Sequence, residues 1–321
     1  MPAAARVDPK AYFSPSEWAP LARRSRWKGL AMVAHAWAVI LAAAAMAVIW
    51  PLTLTLPLAV MIIGGRQLGL SILMHDAAHG ALHPNPKIND LAGEWLTGGG
   101  LARYRAYHLG HHKYAQQEED PDIGLSAPFP ITRTSLRRKM LRDLTGRTFL
   151  KQRFGDLARR LRDRGPGQGI LPILAEEIRR KRRWLLGGVI ITLIGGAFGV
   201  WWAWPVFWVL PQATWFPMIT RLRNIAEHAC IARGEPDPLR QARTTRAGWI
   251  ERALLAPYWV NYHCEHHMFM HLPCYNLPLA HRLLAEKGVR EAMLYEPGGY
   301  RVVLSLATSR PDVSTPDAAP A

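Results

Sequence analysis

Three short stretches decide how this chain is read: His75-Asp-Ala-Ala-His79, His108-Leu-Gly-His111-His112 and His263-Cys-Glu-His266-His267. Placed on helices, positions i, i+3 and i+4 lie toward one face. Each stretch therefore aims its imidazoles together. Eight imidazoles from three helices are too many for one metal ion and suit two. Imidazole suits zinc, copper, iron and nickel, so the ligand type alone leaves the metal open.

Working outward, the flanks of these stretches are apolar and long. Residues 30–50 carry no charge and suffice to cross a hydrocarbon core of roughly 30 Å. Pro51 marks a turn, and residues 52–74 return. Arg66 and Gln67 lie in the second half of the return, where a charge must snorkel or face the protein interior. His35 in the first span is expected to be structural, bonded to a neighbouring helix. Residues 185–220 are again uncharged and too long for one span, so Pro205 is expected to divide them into a second hairpin. Trp201, Trp202, Trp204 and Trp208 cluster near that divide, as interfacial aromatic residues do.

Between the hairpins the chain turns basic. Residues 135–144 and 149–162 mix Leu, Met and Phe with Arg and Lys at helical spacing and read as helices on a membrane surface. Gly98-Gly-Gly100 reads as a joint, since no strand or GxGxxG pattern supports a phosphate loop. His83 is in stripe with His79, but Pro84 ends that helix at once.

The net charge of +16 could suggest nucleic acid, yet no such binding motif is present. Its distribution fits membrane topology better. Arg23, Arg24, Arg26 and Lys28 precede the first span, residues 179–183 precede the third, and Arg221 and Arg223 follow the fourth. Neither turn carries Lys or Arg. The positive-inside rule then places both termini and all the histidines in the cytosol. The 3 cysteines, Cys230, Cys264 and Cys274, form no CxxC pair and suggest neither disulfide nor thiolate site.

The histidine spacing and order resemble the membrane fatty-acid desaturase superfamily, whose members carry HxxxH, HxxHH and HxxHH boxes beside transmembrane hairpins. His266-His-Met-Phe-Met-His-Leu-Pro273-Cys-Tyr275-Asn-Leu277-Pro278 and the acidic run Glu118-Glu-Asp-Pro-Asp122 are similar to it as well. The resemblance implies two iron ions, dioxygen as co-substrate, and metal ligation by His75, His79, His108, His111, His112, His263, His266 and His267. It also makes His228 a ninth ligand. In one branch an asparagine at the spacing of Asn224 holds the metal through water. Glu227 and Glu265 adjoin histidines of the set and are expected to orient them through hydrogen bonds.

The expected fold is an all-α integral membrane protein: four transmembrane helices in two hairpins, capped by a cytosolic helical domain that carries the boxes. The divisions are a cytosolic arm (1–27), a first hairpin (28–74), a cap with two boxes and basic interfacial helices (75–183), a second hairpin (184–220), a further cap with His228 and the third box (221–306), and a disordered tail (307–321). The expected activity is oxygen-dependent desaturation of a fatty-acyl chain or related lipid. Hydroxylation or ketolation of a lipid, alkane or carotenoid is the neighbouring alternative. An intramembrane zinc protease is more distant, because it would want HExxH where His75-Asp76-Ala-Ala-His79 stands. No Rossmann fingerprint, flavin motif or cysteine cluster supplies electrons, which implies an external ferredoxin, rubredoxin or small cytochrome with its reductase.

Overall fold

A computed structural model describes residues 7–126, 128–165 and 167–310. The described chain is mostly helical. Helix α1 (Pro15–Ala22) opens on a reciprocal cap in which Ser14 and Glu17 satisfy each other's backbone amides, with Pro15 at the first turn. Helices α2 (Lys28–Ile49) and α3 (Thr55–Ala78) then form an antiparallel pair of 22 and 24 residues with mean hydropathies of 2.2 and 1.6. At 1.5 Å per residue each exceeds roughly 30 Å. Among the described residues these two helices are long and apolar enough to cross a membrane.

Helix α2 buries the stripe Gly29, Val33, Ala36, Ile40, Ala43 and Ala47 and leaves Leu41, Val48 and Ile49 exposed. The period of 3 to 4 identifies one packed face, and the outward face is apolar too. Helix α3 is buried along most of its second half. Arg66 faces inward: it donates to the Ala253 carbonyl and stacks 5.6 Å from the Tyr258 ring centroid. Gln67 donates to the Trp208 carbonyl at 2.9 Å. His35 Nδ1 meets the Tyr258 hydroxyl at 3.0 Å, in the single 3-10 turn Pro257–Trp259.

Helix α4 (Pro86–Trp95) is capped by Asn85 and leads to α5 (Leu101–Tyr114). Gly98, Gly99 and Gly100 all have φ between 82° and 124°, which side chains rarely tolerate. The Glu94 carboxylate accepts from the Gly100 and Leu101 amides at 3.0 and 2.7 Å, so the joint is a built cap for α5. A single turn, α6 (Ile123–Ser126), precedes α7 (Arg133–Leu144) and α8 (Arg147–Arg162), which match the two basic segments.

The next helix departs from expectation. Helix α9 (Ile170–Ala197) runs without a break through the basic cluster 179–183 into the apolar run. The turn falls at 198–203, before Pro205. Gly195 makes it possible, because a Cβ there would meet the Val200 carbonyl oxygen at 2.5 Å, and Gly199 takes φ +74°. Pro205 stands second in the π-helical stretch Trp204–Val209, where its missing N–H costs nothing; it starts the returning helix and does not divide the run. The uncharged part of α9 is therefore 184–197, about 21 Å long.

The return continues through α10 (Leu210–Ala213) into α11 (Trp215–His228). Asp143 of α7, fully buried, binds Arg221 of α11 at 2.5 and 2.8 Å and Thr148 of α8 at 2.5 Å, tying the three helices together. A short strand β1 (Thr244–Thr245), helices α12 (Trp249–Leu254), α13 (His263–Met268) and α14 (Leu277–Glu286), a strand β2 (Tyr295–Glu296) parallel to β1, and α15 (Tyr300–Ala307) complete the fold. Helix α15 carries the packed chain to Ala307, whose carbonyl accepts from Ile131 at 2.8 Å. The tail expected from residue 307 lies, from 311 onward, outside the described residues.

Candidate metal centre

Four helices meet at one point: the end of α3, the second half of α5, the last residue of α11 and the short α13. They bring nine imidazoles together in two groups. His75, His79, His108, His112 and His266 form one; His111, His228, His263 and His267 form the other, with ring nitrogens in each group within 4.8 Å of one another.

The division has a simple cause. At 100° per residue, i and i+4 are about 40° apart on a helix, whereas i+3 falls about 60° to the other side. His108 and His112 accordingly serve the first group and His111 the second. In α13 the roles reverse: His263 and His267 serve the second group, and His266 the first. The two helices exchange one imidazole each, so both are shared between the groups.

Nε2 atoms of seven of the nine rings face one another. His112 lies 3.0 Å from both His108 and His266. His228–His263, His263–His267 and His111–His267 stand at 2.9, 3.2 and 3.3 Å. A neutral imidazole carries one N–H, so these contacts cannot all be hydrogen bonds. His75 and His79 have no hydrogen-bond partner on either ring nitrogen although those atoms are buried. Such orphans are costly unless something else satisfies them. Burial, reinforced by neighbouring rings, holds His108, His112, His228, His263, His266 and His267 well below the usual histidine range. They stand neutral with lone pairs converging, which is the donor set that a pair of first-row metal ions needs.

Surrounding groups fix the rings. Asp120, 3% exposed, accepts from His111 Nδ1 at 2.8 Å, leaving the His111 Nε2 lone pair directed inward. Asp120 is itself held by the Gln116 and Asp122 amides at 3.1 and 2.8 Å. The Gln116 amide reaches His228 Nδ1 at 3.4 Å and the Gln241 carbonyl at 3.2 Å. Asp76, beside His75 at 3.8 Å, accepts from the Cys274 amide at 2.9 Å. Asp120 and Gln116 were not singled out from the sequence; the only signal was the acidic run that follows the second box.

The remaining expectations divide. Glu227 is fully buried, pairs with Arg223 at 2.6 Å, and lies 3.5 Å from His263 Nε2. Burial pushes its carboxyl up to about 7 against the pull of Arg223. Glu265 does not orient a ring of either group. It sits two residues from His263, about 200° around the helix, and its carboxylate binds His281 Nδ1 at 2.5 Å and the Thr244 hydroxyl. His83 also stands apart, its Nδ1 accepting the Asn85 amide at 2.9 Å. Asn224, Arg223, Thr220, Tyr104 and Asp122 line a cavity of about 240 Å³ that opens onto His108, His111, His228 and His263. A group bound there touches imidazoles of both clusters.

The fatty acid desaturase family matches residues 50–298. A dihydrorhizobitoxine desaturase of Bradyrhizobium elkanii is 27% identical over 241 residues, 71% of this chain and 67% of its own. A beta-carotene ketolase of Paracoccus sp. (strain PC1) is 27% identical over 229 residues, 69% of this chain and 78% of its own.

Proposed function

This chain belongs to the fatty acid desaturase family, and from that premise we propose that it is a membrane di-iron enzyme that uses dioxygen and two electrons to desaturate a fatty-acyl chain or related lipid. The observation that carries the reading is the pair of converging imidazole groups, five and four, buried at the end of an apolar helical hairpin. His75, His79, His108, His112 and His266 would hold one iron; His111, His228, His263 and His267 would hold the other. Bound there, the irons supply the activation of dioxygen and the removal of hydrogen from an unactivated C–H bond.

The balance is plain. Dioxygen, two electrons, two protons and the two hydrogens of a –CH2–CH2– unit give an alkene and two waters. This chain's own residues do the rest. Asp120 and Gln116 hold His111 and His228 in orientation. The packing around α5 and α13 keeps water from the rings. The adjoining cavity, with Tyr104 and Asn224 in its wall, positions the substrate. Asn224 stands one helical turn before His228 and would hold a water against the nearer metal.

In membrane terms, α2 and α3 form the first hairpin. The second is the end of α9 with the returning chain 204–220, short enough to need the flanking basic residues 179–183 at the lipid headgroups. The Lys and Arg distribution supports both termini and the metal centre on the cytosolic side. The divisions 1–27, 28–74, 75–183, 184–220 and 221–306 follow from it. Electrons come from an external ferredoxin, rubredoxin or small cytochrome with its reductase, drawn to the basic cytosolic face.

A second reading, hydroxylation or ketolation of a lipid or carotenoid, is favoured by the named Paracoccus relative. Expression in a host without desaturases, followed by lipid and carotenoid profiling, separates them. A new alkene supports desaturation, a new oxygen function supports the alternative, and an unchanged profile with iron-loaded protein and a competent electron donor contradicts both.

A further inference from the structure

We infer that Glu227 gives a carboxylate oxygen to the metal held by His111, His228, His263 and His267, as that site's fifth protein donor. The inference rests on the proposed di-iron reading.

The two groups are unequal, five imidazoles against four. Glu227 stands beside the smaller group. It immediately precedes His228 at the end of α11, and its Oε2 lies 3.5 Å from His263 Nε2. That spacing continues the 2.9 to 3.3 Å steps between His228, His263, His267 and His111. Donors bonded to a first-row ion at about 2.1 Å stand roughly 3 to 3.5 Å apart, as at zinc. Arg223 grips both carboxylate oxygens, Nε donating to Oε1 at 2.7 Å and Nη2 lying 2.6 Å from Oε2. Both oxygens are thus held by the guanidinium, and Oε2 also faces the ring of His263.

The neighbouring acids are turned elsewhere. Asp120 is taken by His111 Nδ1, and Asp122 by the Tyr107 hydroxyl. Asn224 shares the cavity wall but offers a neutral amide. Arg223 keeps the carboxylate from being an isolated buried charge and aims it. The consequence is an unsymmetrical pair: one metal in an all-nitrogen set, the other with an anionic oxygen.

The rival is that Glu227 serves only as the buried partner of Arg223. Full-length protein loaded with 57Fe distinguishes the two by iron content after dialysis against a chelator and by its Mössbauer spectrum. Wild type should hold two irons in two inequivalent doublets of equal area. Glu227→Gln should fall to about one iron per chain, and so should the neutral pair Arg223→Met with Glu227→Gln, which removes the ion pair as a unit. Glu227→Asp, which preserves the charge pairing, should shift one doublet only. Asn224→Ala should keep two irons. Two irons with an unchanged spectrum in the folded double variant, or in Glu227→Asp, overturn the inference while leaving the di-iron reading intact. Wild-type protein that takes up no iron pair overturns that reading, and the inference with it.

Discussion

His228 Nε2 lies 2.9 Å from His263 Nε2, although 35 residues separate them and His228 belongs to no histidine box. The last turn of α11 delivers it: the chain leaves the helix at Ala229, so the ring reaches into the four-membered group from its own direction. His228→Ala should lose iron from one site and abolish turnover. His35→Ala should keep both irons, because the Tyr258 hydroxyl still donates to the Met32 carbonyl at 3.0 Å. Metal analysis of the two folded variants checks this; iron retained in His228→Ala and lost in His35→Ala would reverse the assignment.

Asp120 should matter almost as much as a ligand. Asp120→Asn keeps the shape but lets the amide present its N–H to His111 Nδ1, which disturbs the tautomer that leaves Nε2 free. Metal affinity should weaken by roughly 10- to 100-fold. Competition with a chelator of known affinity measures it, and an unchanged competition curve would show that the contact orients nothing.

His281 invites a different outcome. On spacing alone it is dispensable, since it pairs with no box. In the fold it satisfies the buried Glu265 carboxylate at 2.5 Å. His281→Ala should therefore cost about 1–3 kcal/mol of stability while the folded fraction keeps its iron. Thermal unfolding followed beside metal content separates the two effects; an unaltered midpoint would place Glu265 in another network.

Acid should destabilise the metal-free chain. Burial holds six of the clustered imidazoles well below the ordinary histidine range. In the unfolded chain the same groups protonate near pH 6.5. Below that pH the unfolded state binds protons that the fold refuses, so stability falls as pH falls and is flat above about pH 7. Thermal midpoints of chelator-treated protein between pH 5 and 8 should follow that sign; a midpoint that rises on acidification would contradict it.

The boxes were legible because helical spacing is rigid: residues at i, i+3 and i+4 must project together. What the spacing does not reveal is that the roughly 100° between i+3 and i+4 sends their rings to different groups, so that α5 and α13 each feed both. That separation needs two helices crossing, which is tertiary information. The basic segments around 135–144 and 149–162 were equally readable from their periodicity. The second hairpin was misjudged at its turn. Proline looked like the divider, but Gly195 and Gly199 make the reversal and Pro205 merely starts the return. Adjacency in sequence sets Glu265 beside the box histidines, while the helix turns its carboxylate toward His281 and Thr244. For Arg66 the sequence leaves snorkelling and an inward orientation both open; the fold takes the second, and the partner, the Ala253 carbonyl, lies 187 residues away and has no local signal.

The central claim is that the nine histidines hold an iron pair that drives oxygen-dependent removal of hydrogen from a lipid. Purified, 57Fe-loaded protein in lipid nanodiscs, supplied with reduced electron carrier and a panel of deuterated acyl lipids, tests it in one experiment. Two irons per chain, oxygen uptake matched to product, and loss of one deuterium from each of two adjacent carbons are expected. Turnover with zinc alone, or product formed without oxygen, would contradict it.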